Sequence, residues 1–260
     1  MTFEWTRLLG FSSSEGSIGY ALTTGADGAI YMAGDTSGDL YRQSNWALES
    51  RLYKSDAFIS KYNPDGTKIW SRFLESPHNN YAYTITTGVD GSIYIAGSDS
   101  VGLNIIGGKD AFITKYNPDG SKDWTRLLGT SGMGFGRALT TGADGSIYIA
   151  GDTLGDLDGQ TNSGHIDAFI TKYNPDGTKV WSRLLGSSSD DYGCALTTGA
   201  DGSIYIAGET WGDYDGKTNS VRKDAFISKF NSEGTKEWTI PLASSSDDHA
   251  RSLTTGADGS

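Results

Sequence analysis

A unit of about 57 residues recurs along this chain, and a chain that repeats at that length buries its apolar surface against copies of itself. Four anchors return in fixed order. Leu-Thr-Thr-Gly-Ala-Asp-Gly stands at 22–28, 139–145, 196–202 and 253–259, with Ile-Thr-Thr-Gly-Val-Asp-Gly at 85–91. Ile-Tyr-Ile-Ala-Gly follows at 93–97, 147–151 and 204–208, with a methionine variant at 30–34. Asp-Ala-Phe-Ile opens at Asp56, Asp110, Asp167 and Asp224, and a tryptophan closes each unit at Trp5, Trp70, Trp124, Trp181 and Trp238. Successive tryptophans are 65, 54, 57 and 57 residues apart, the first step being lengthened by an insertion near residues 41–52.

Each anchor is β-branched and aromatic, the composition of a half-buried strand. Asn-Pro-Asp-Gly at 63–66, 117–120 and 174–177 is a tight-turn signal, because proline pre-sets the second position and glycine takes the positive φ that follows. No stretch shows helical apolar spacing with caps, so the expected unit is a four-strand meander, A to D. In strand B, Ile147 and Ile149 oppose Tyr148 and Ala150; in strand C, Phe112 and Tyr116 oppose Ala111 and Ile113. Both faces are apolar and both must be covered. A one-sided sheet would alternate more cleanly. Radially stacked blades meet the requirement, and the expected fold is an all-β propeller of four-stranded antiparallel blades.

The strings Asp167-Ala-Phe-Ile-Thr-Lys-Tyr-Asn-Pro-Asp-Gly-Thr-Lys-Val-Trp181 and Gly193-Cys-Ala-Leu-Thr-Thr-Gly-Ala-Asp-Gly-Ser-Ile-Tyr-Ile-Ala-Gly208 resemble the SBBP β-propeller repeat of bacterial proteins, with a more distant likeness to the NHL repeat. The resemblance covers essentially the whole chain. It implies a propeller and brings no shared catalytic residues with it.

One propeller over residues 1–260 is expected, with blades near 17–75, 81–129, 135–186 and 192–241. Strands at 3–9 and 249–256 are left as parts of an incomplete fifth blade, so the chain reads as a fragment of a longer array. Its open strand edges invite self-association.

Composition narrows the partners. A formal charge of −11 repels phosphate backbones and anionic lipid, so nucleic acid is not an expected partner. No apolar run is long enough for membrane insertion, and Met1-Thr-Phe-Glu-Trp5 lacks the basic and apolar regions of a signal peptide. With Cys194 alone there is no intrachain disulfide, and Cys194 itself reads as a small buried residue of strand A near the axis.

Meander topology puts the short A–B and C–D turns on one face and the long, variable B–C and D–A connections on the other. Variable loops on a rigid scaffold are where binding concentrates, so a protein or glycan ligand is expected on the second face. Its B–C loops carry Asp156, Asp158 and Asn162, then Asp213, Asp215 and Asn219, an alternation that resembles the start of a calcium loop. The competing reading is that these side chains order turns. Its D–A connections carry Asp190, Asp191, Asp247 and Asp248, and the irregular tryptophans Trp46 and Trp211 could stack on a sugar or peptide. His78, His165 and His249 occupy unrelated repeat positions, which argues against a metal triad or a nucleophilic triad. The aspartates that open strand C are expected to remake one hydrogen bond in every blade. Taken together, the sequence reads as a non-catalytic scaffold or interaction module with no cofactor, secreted or at a cell surface. A calcium- or carbohydrate-binding module is the alternative, and a propeller hydrolase the less favoured one.

Overall fold

The computed structural model describes residues 16–37, 55–76, 78–100, 108–214, 222–242 and 244–256. Sixteen strands form four antiparallel four-stranded sheets, each a simple meander. The first is β1 (Ser17–Thr24), β2 (Ile30–Thr36), β3 (Asp56–Tyr62) and β4 (Lys68–Phe73). The second is β5 (Asn80–Thr87), β6 (Ile93–Asp99), β7 (Asp110–Tyr116) and β8 (Lys122–Leu127). The third is β9 (Gly134–Thr141), β10 (Ile147–Thr153), β11 (Asp167–Tyr173) and β12 (Lys179–Leu185), and the fourth is β13 (Asp191–Thr198), β14 (Ile204–Thr210), β15 (Asp224–Phe230) and β16 (Lys236–Leu242). No helix occurs among the described residues.

The sheets stack in chain order, and the core lies between them rather than within any one. Tyr31, Ile59 and Leu74 of the first sheet meet Ile85, Ile95, Phe112 and Tyr116 of the second. Tyr94, Ile113, Trp124 and Leu128 meet Leu139, Ile149, Phe169 and Tyr173 at the next joint. Tyr148, Ile170 and Leu185 meet Leu196, Ile206, Phe226 and Phe230 at the third. Both apolar faces of the second and third sheets, and one face each of the first and fourth, are therefore consumed by stacking.

Polar bonds repeat at each joint. The indoles of Trp70, Trp124 and Trp181 lie against Gly120, Gly177 and Gly234 in the third-to-fourth-strand turn of the following sheet. Arg72, Arg126 and Arg183 donate from Nε to the carbonyls of those same glycines, at 3.2, 2.9 and 2.8 Å. On the inner edge, Thr87, Thr141 and Thr198 donate from Oγ1 to the carbonyls of Thr24, Thr87 and Thr141 one sheet back. The inner strands β1, β5, β9 and β13 thus lie side by side and line the axis.

Residues 249–256 take the place of the next inner strand. Thr255 Oγ1 donates to the carbonyl of Thr198 at 3.1 Å, and the Asp248 amide donates to Lys223 at 2.7 Å. No strand pairs with them among the described residues, so the expected strand there occupies its place without a ladder. The expected strand at 3–9 lies outside the described residues.

Candidate functional site

Every inner strand carries a β-bulge at the same place. The register skips Tyr20 in β1, Tyr83 in β5, Arg137 in β9 and Cys194 in β13. A bulged residue leaves the alternation of its strand and re-aims its side chain. Here the four, with Arg251 at the matching place in the C-terminal segment, form a belt along the axis. Tyr20 and Tyr83 meet edge to face at 5.5 Å, and Tyr81 stacks on Tyr83 at 6.2 Å. The units are nearly identical in their cores, yet these five positions hold two tyrosines, then arginine, cysteine and arginine.

At the end of the belt nearest the B–C and D–A connections, a cavity of about 350 Å³ is lined by Arg137, Tyr192, Cys194, Glu209, Lys223 and Arg251. Glu209, near the end of β14, is buried and faces three basic groups. Lys223 Nζ lies 2.9 Å from one carboxylate oxygen, and His249 Nδ1 at 2.9 Å and Arg251 at 3.5 Å approach the other. Burial works to raise the Glu209 pKa, but the hydrogen bonds from Lys223 and His249 outweigh it and hold the carboxyl below the usual range. Asp152, at the same place in β10, is paired by the Arg137 guanidinium through both oxygens. The Cys194 thiol is pushed up to about 11, by burial first and the Glu209 charge second.

Aromatic rings border the same opening. Lys223 Nζ sits 5.4 Å from the Trp211 ring and 5.9 Å from that of Tyr192. Lys109, two sheets earlier, lies over Tyr81 and over Phe135 of the next sheet, at 4.9 and 5.7 Å. Trp211 is 43% exposed, so its face is open for stacking. Its amide donates to Asp190, whose carboxylate meets His165 Nδ1 at 3.2 Å and the Tyr192 hydroxyl at 3.4 Å. Trp211 and Asp190 therefore belong to the rim of this opening.

The other residues singled out in the sequence go elsewhere. Asp191 is fully buried and accepts from the Ser187 amide and hydroxyl at 2.6 and 2.8 Å, which ties down the connection before β13. Asp248 repeats that role on Ser244, and Asp247 accepts from the Lys223 amide at 3.3 Å. In the third B–C loop, Asp156 accepts from the Asn162 amide at 2.9 Å, whereas Asp158 turns to Lys179 at 2.8 Å and to the Ser182 hydroxyl. The two carboxylates face different partners, while Leu157 between them is buried in the second joint. Tyr214 holds the equivalent place in the fourth loop, stacked on Phe226 at 4.7 Å, with Asp213 exposed beside it. Asn162 donates from its side chain to the Thr153 carbonyl at 3.1 Å. Among the described residues, no group of three or more His, Cys, Asp or Glu is arranged to hold a metal ion. Asp215, Asn219 and Trp46 lie outside the described residues.

The strand-C aspartates are buried in all four sheets, but their partners differ. Asp110 accepts from the Gly129 amide, whereas Asp167 accepts from Ser163 and Gly164. The expected common bond is replaced by whichever neighbouring loop passes closest.

Residues 180–215, which run from the outer strand β12 through β13 and β14, match the SBBP β-propeller repeat family. The fold is that of a β-propeller. Residues 90–125 also match a β-propeller domain of unknown function, DUF5122. Among curated proteins, the chain is similar to the regulatory protein FlaEY of Caulobacter vibrioides, 28% identical over 234 residues that cover 79% of this chain and 24% of that one. An uncharacterised WD repeat-containing protein of Acanthamoeba polyphaga mimivirus is 26% identical over 164 residues, covering 51% of this chain and 12% of that protein. The chain thus spans a quarter or less of the length of these relatives. Among solved structures, a protein of unknown function from Dyadobacter fermentans aligns with TM-score 0.51 at 12% identity, over 86% of this chain and 64% of that one. An ulvan lyase, a polysaccharide lyase, aligns with TM-score 0.51 at 14% identity, over 85% of this chain and 55% of its own. At these identities the likeness to both structures is one of fold.

Proposed function

We propose that this SBBP-repeat chain is a non-catalytic interaction module whose ligand, an acidic saccharide, docks at the axial opening of the loop face. The observation that carries this reading is the cavity beside Trp211, where repetition stops and basic and aromatic side chains gather. Three cations, Arg137, Lys223 and Arg251, line it with one carboxylate, Glu209, while Asp152 pairs with Arg137 and Asp190 stands at the rim, so the opening is locally neutral on a chain of net charge −11. An open indole supplies a flat apolar face for a sugar ring, and guanidinium groups suit carboxylates.

Two groups at the opening are each held in one protonation state, which supports binding over catalysis. General acid–base work wants a group titrating near the working pH. Glu209 is held ionised by its basic neighbours, and the Cys194 thiol is held protonated. Of the six residues of the calcium alternative, Asp156 and Asp158 direct their carboxylates apart, and Asp215 and Asn219 lie outside the described residues.

Titration calorimetry with oligogalacturonate and with a neutral glucan of equal length tests the proposal. The acidic oligosaccharide is expected to bind and the neutral one to bind far more weakly. Arg251→Ala is expected to weaken the acidic ligand by about tenfold, the worth of one charge-assisted bond. Arg251 is 72% exposed, so its loss leaves the fold intact. Equal heats for both glycans, or affinity indifferent to Arg251→Ala, would remove the assignment.

A further inference from the structure

The second sheet rebuilds part of the cavity wall of the fourth. Lys109 and Lys223 each stand one place before the aspartate that opens strand C, and Tyr81 and Tyr192 each stand two places before the bulge of their inner strand. The two pairs make the same contact. Lys109 Nζ lies 4.9 Å from the Tyr81 ring, and Lys223 Nζ lies 5.9 Å from that of Tyr192. In the following unit Arg137 takes the place beside the second sheet that Arg251 takes beside the fourth. One member differs. The fourth sheet carries Glu209, whose carboxylate lies 2.9 Å from Lys223 Nζ, whereas the second carries Ser98, fully buried and bonded to the Tyr83 hydroxyl at 3.1 Å. Lys109 is thereby left half-buried against two rings, with no carboxylate at ion-pair distance among the described residues. Residues 101–107, which precede it, contain neither Asp nor Glu. An aromatic face steadies an ammonium group but leaves its charge in place.

We infer that Lys109, Tyr81 and Phe135 form a second acidic-sugar subsite, so that the ligand is a chain with negative charge on successive sugars rather than a single acidic terminus. This second subsite rests on the saccharide reading of the axial opening and extends it along the axis. Phe135 joins the two places. Lys109 Nζ lies 5.7 Å from its ring and the Arg137 guanidinium 5.4 Å from the same ring, and Arg137 lines the cavity that Lys223 and Arg251 share. The cavity is locally neutral, since Glu209 and Asp152 already engage its cations. An acidic group arriving at Lys109 meets a cation that no carboxylate competes for, and a charge-assisted hydrogen bond is the stronger kind. The Tyr81 ring is held in advance, stacked at 6.2 Å on Tyr83, whose hydroxyl bonds Ser98. A face fixed before binding loses little freedom when a sugar settles on it. The third sheet has Ile166 at the place of the lysine, so the cradle recurs two sheets away and not in between. A short saccharide at Trp211 therefore leaves Lys109 unused, and only a longer chain engages both.

Titration calorimetry with a galacturonate trimer and with a long oligogalacturonate, on the parent chain, Lys109→Gln, Lys109→Arg and Arg251→Ala, tests this. Lys109→Gln is expected to weaken the long chain by about tenfold and to leave the trimer unchanged, at an unaltered melting temperature. Lys109→Arg, which keeps the charge, should retain the affinity for the long chain. Arg251→Ala should weaken both ligands. A long chain bound by Lys109→Gln as tightly as by the parent, an equal loss for the trimer, or Lys109→Arg as weak as Lys109→Gln would each overturn the second subsite while leaving the Trp211 opening in place. A parent chain that gives no heat with either ligand would remove the opening and the second subsite together.

Discussion

Replacing Gly177 by alanine probes the joint between sheets with a built-in control. Gly177 closes the β11–β12 turn at a φ of +79°, and Gly202 closes the β13–β14 turn at +78°. Alanine in that left-handed conformation costs about 1–2 kcal/mol at either place. The two positions differ in what a new Cβ would meet. At Gly202 nothing lies within 4 Å, whereas at Gly177 it would stand 2.8 Å from Cδ2 and 2.9 Å from Cε2 of Trp124, in the preceding sheet. Trp124 is buried and its indole donates to the Pro175 carbonyl at 3.3 Å, so the ring has no free direction in which to yield. Forcing a methyl group into a filled joint adds about 1–3 kcal/mol. Gly202→Ala is therefore expected to cost about 1–2 kcal/mol and Gly177→Ala about 2–5 kcal/mol, read from urea unfolding followed by tryptophan fluorescence. Trimming the indole should remove the excess. In a Trp124→Leu background, the cost of Gly177→Ala should fall to that of Gly202→Ala, a non-additivity expected only of residues in contact. If the two glycines cost the same in the parent chain, or if Gly177→Ala and Trp124→Leu simply add, the blades are not locked by this ring-on-turn contact.

Two further outcomes follow from buried groups. The Asp191 carboxyl is raised to about 6, chiefly by burial, against 3.8 in the unfolded chain, so the folded form keeps its proton over that interval. Its contribution to stability is present below about pH 4 and lost as pH rises to about 6, in all roughly 3 kcal/mol. Asp191→Asn should flatten that fall and raise the Tm at neutral pH, measured by calorimetry across a pH series; an unchanged profile would mean that Asp191 ionises freely in the fold. With the Cys194 thiol near 11 rather than 9, its thiolate fraction at mildly alkaline pH is about a hundredfold below that of an ordinary thiol. Iodoacetamide should modify it correspondingly slowly in the folded chain and at a normal rate in urea, and rapid alkylation of the folded chain would contradict the burial assigned to it.

The sheets were legible because the same demand is made in every unit. Ile147, Tyr148, Ile149 and Ala150 alternate with apolar groups on both sides, and only stacking between neighbours hides both; the structure places all four in the second and third joints. The turns were legible because Asn-Pro-Asp-Gly has few other conformations available. The site was not. Its residues depend on the bulge in each inner strand, and nothing local in the sequence marks a bulge at Tyr20, Tyr83, Arg137 or Cys194. Strand alternation alone put Cys194 among small buried residues, and it is half-buried in the lining of the cavity. The B–C loops misled in the opposite sense. Asp156 and Asp158 drew the eye as oxygen donors, whereas the residue between them, Leu157, anchors the loop.

A comparison of the units with one another held a signal that inspection of any single unit lacked. Positions that repeat are spent on the joints, since every blade must satisfy the same neighbours. The glycine turns, tyrosines and tryptophans are fixed for that reason, and a ligand that touched only them would be bound equally by every blade. Discrimination must come from positions released from that duty. The bulged residues run Tyr20, Tyr83, Arg137 and Cys194, with Arg251 at the matching place, and the residues two places earlier run Ile18, Tyr81, Phe135, Tyr192 and His249. The penultimate residues of the second strands run Asp35, Ser98, Asp152 and Glu209. These three series differ from unit to unit while the cores around them stay nearly constant, and all three converge where the inner strands begin and their partners end. Around the axial opening, then, the repetition of the inner strands and their partners lapses, which gives the scaffold an asymmetry of the kind selective binding needs.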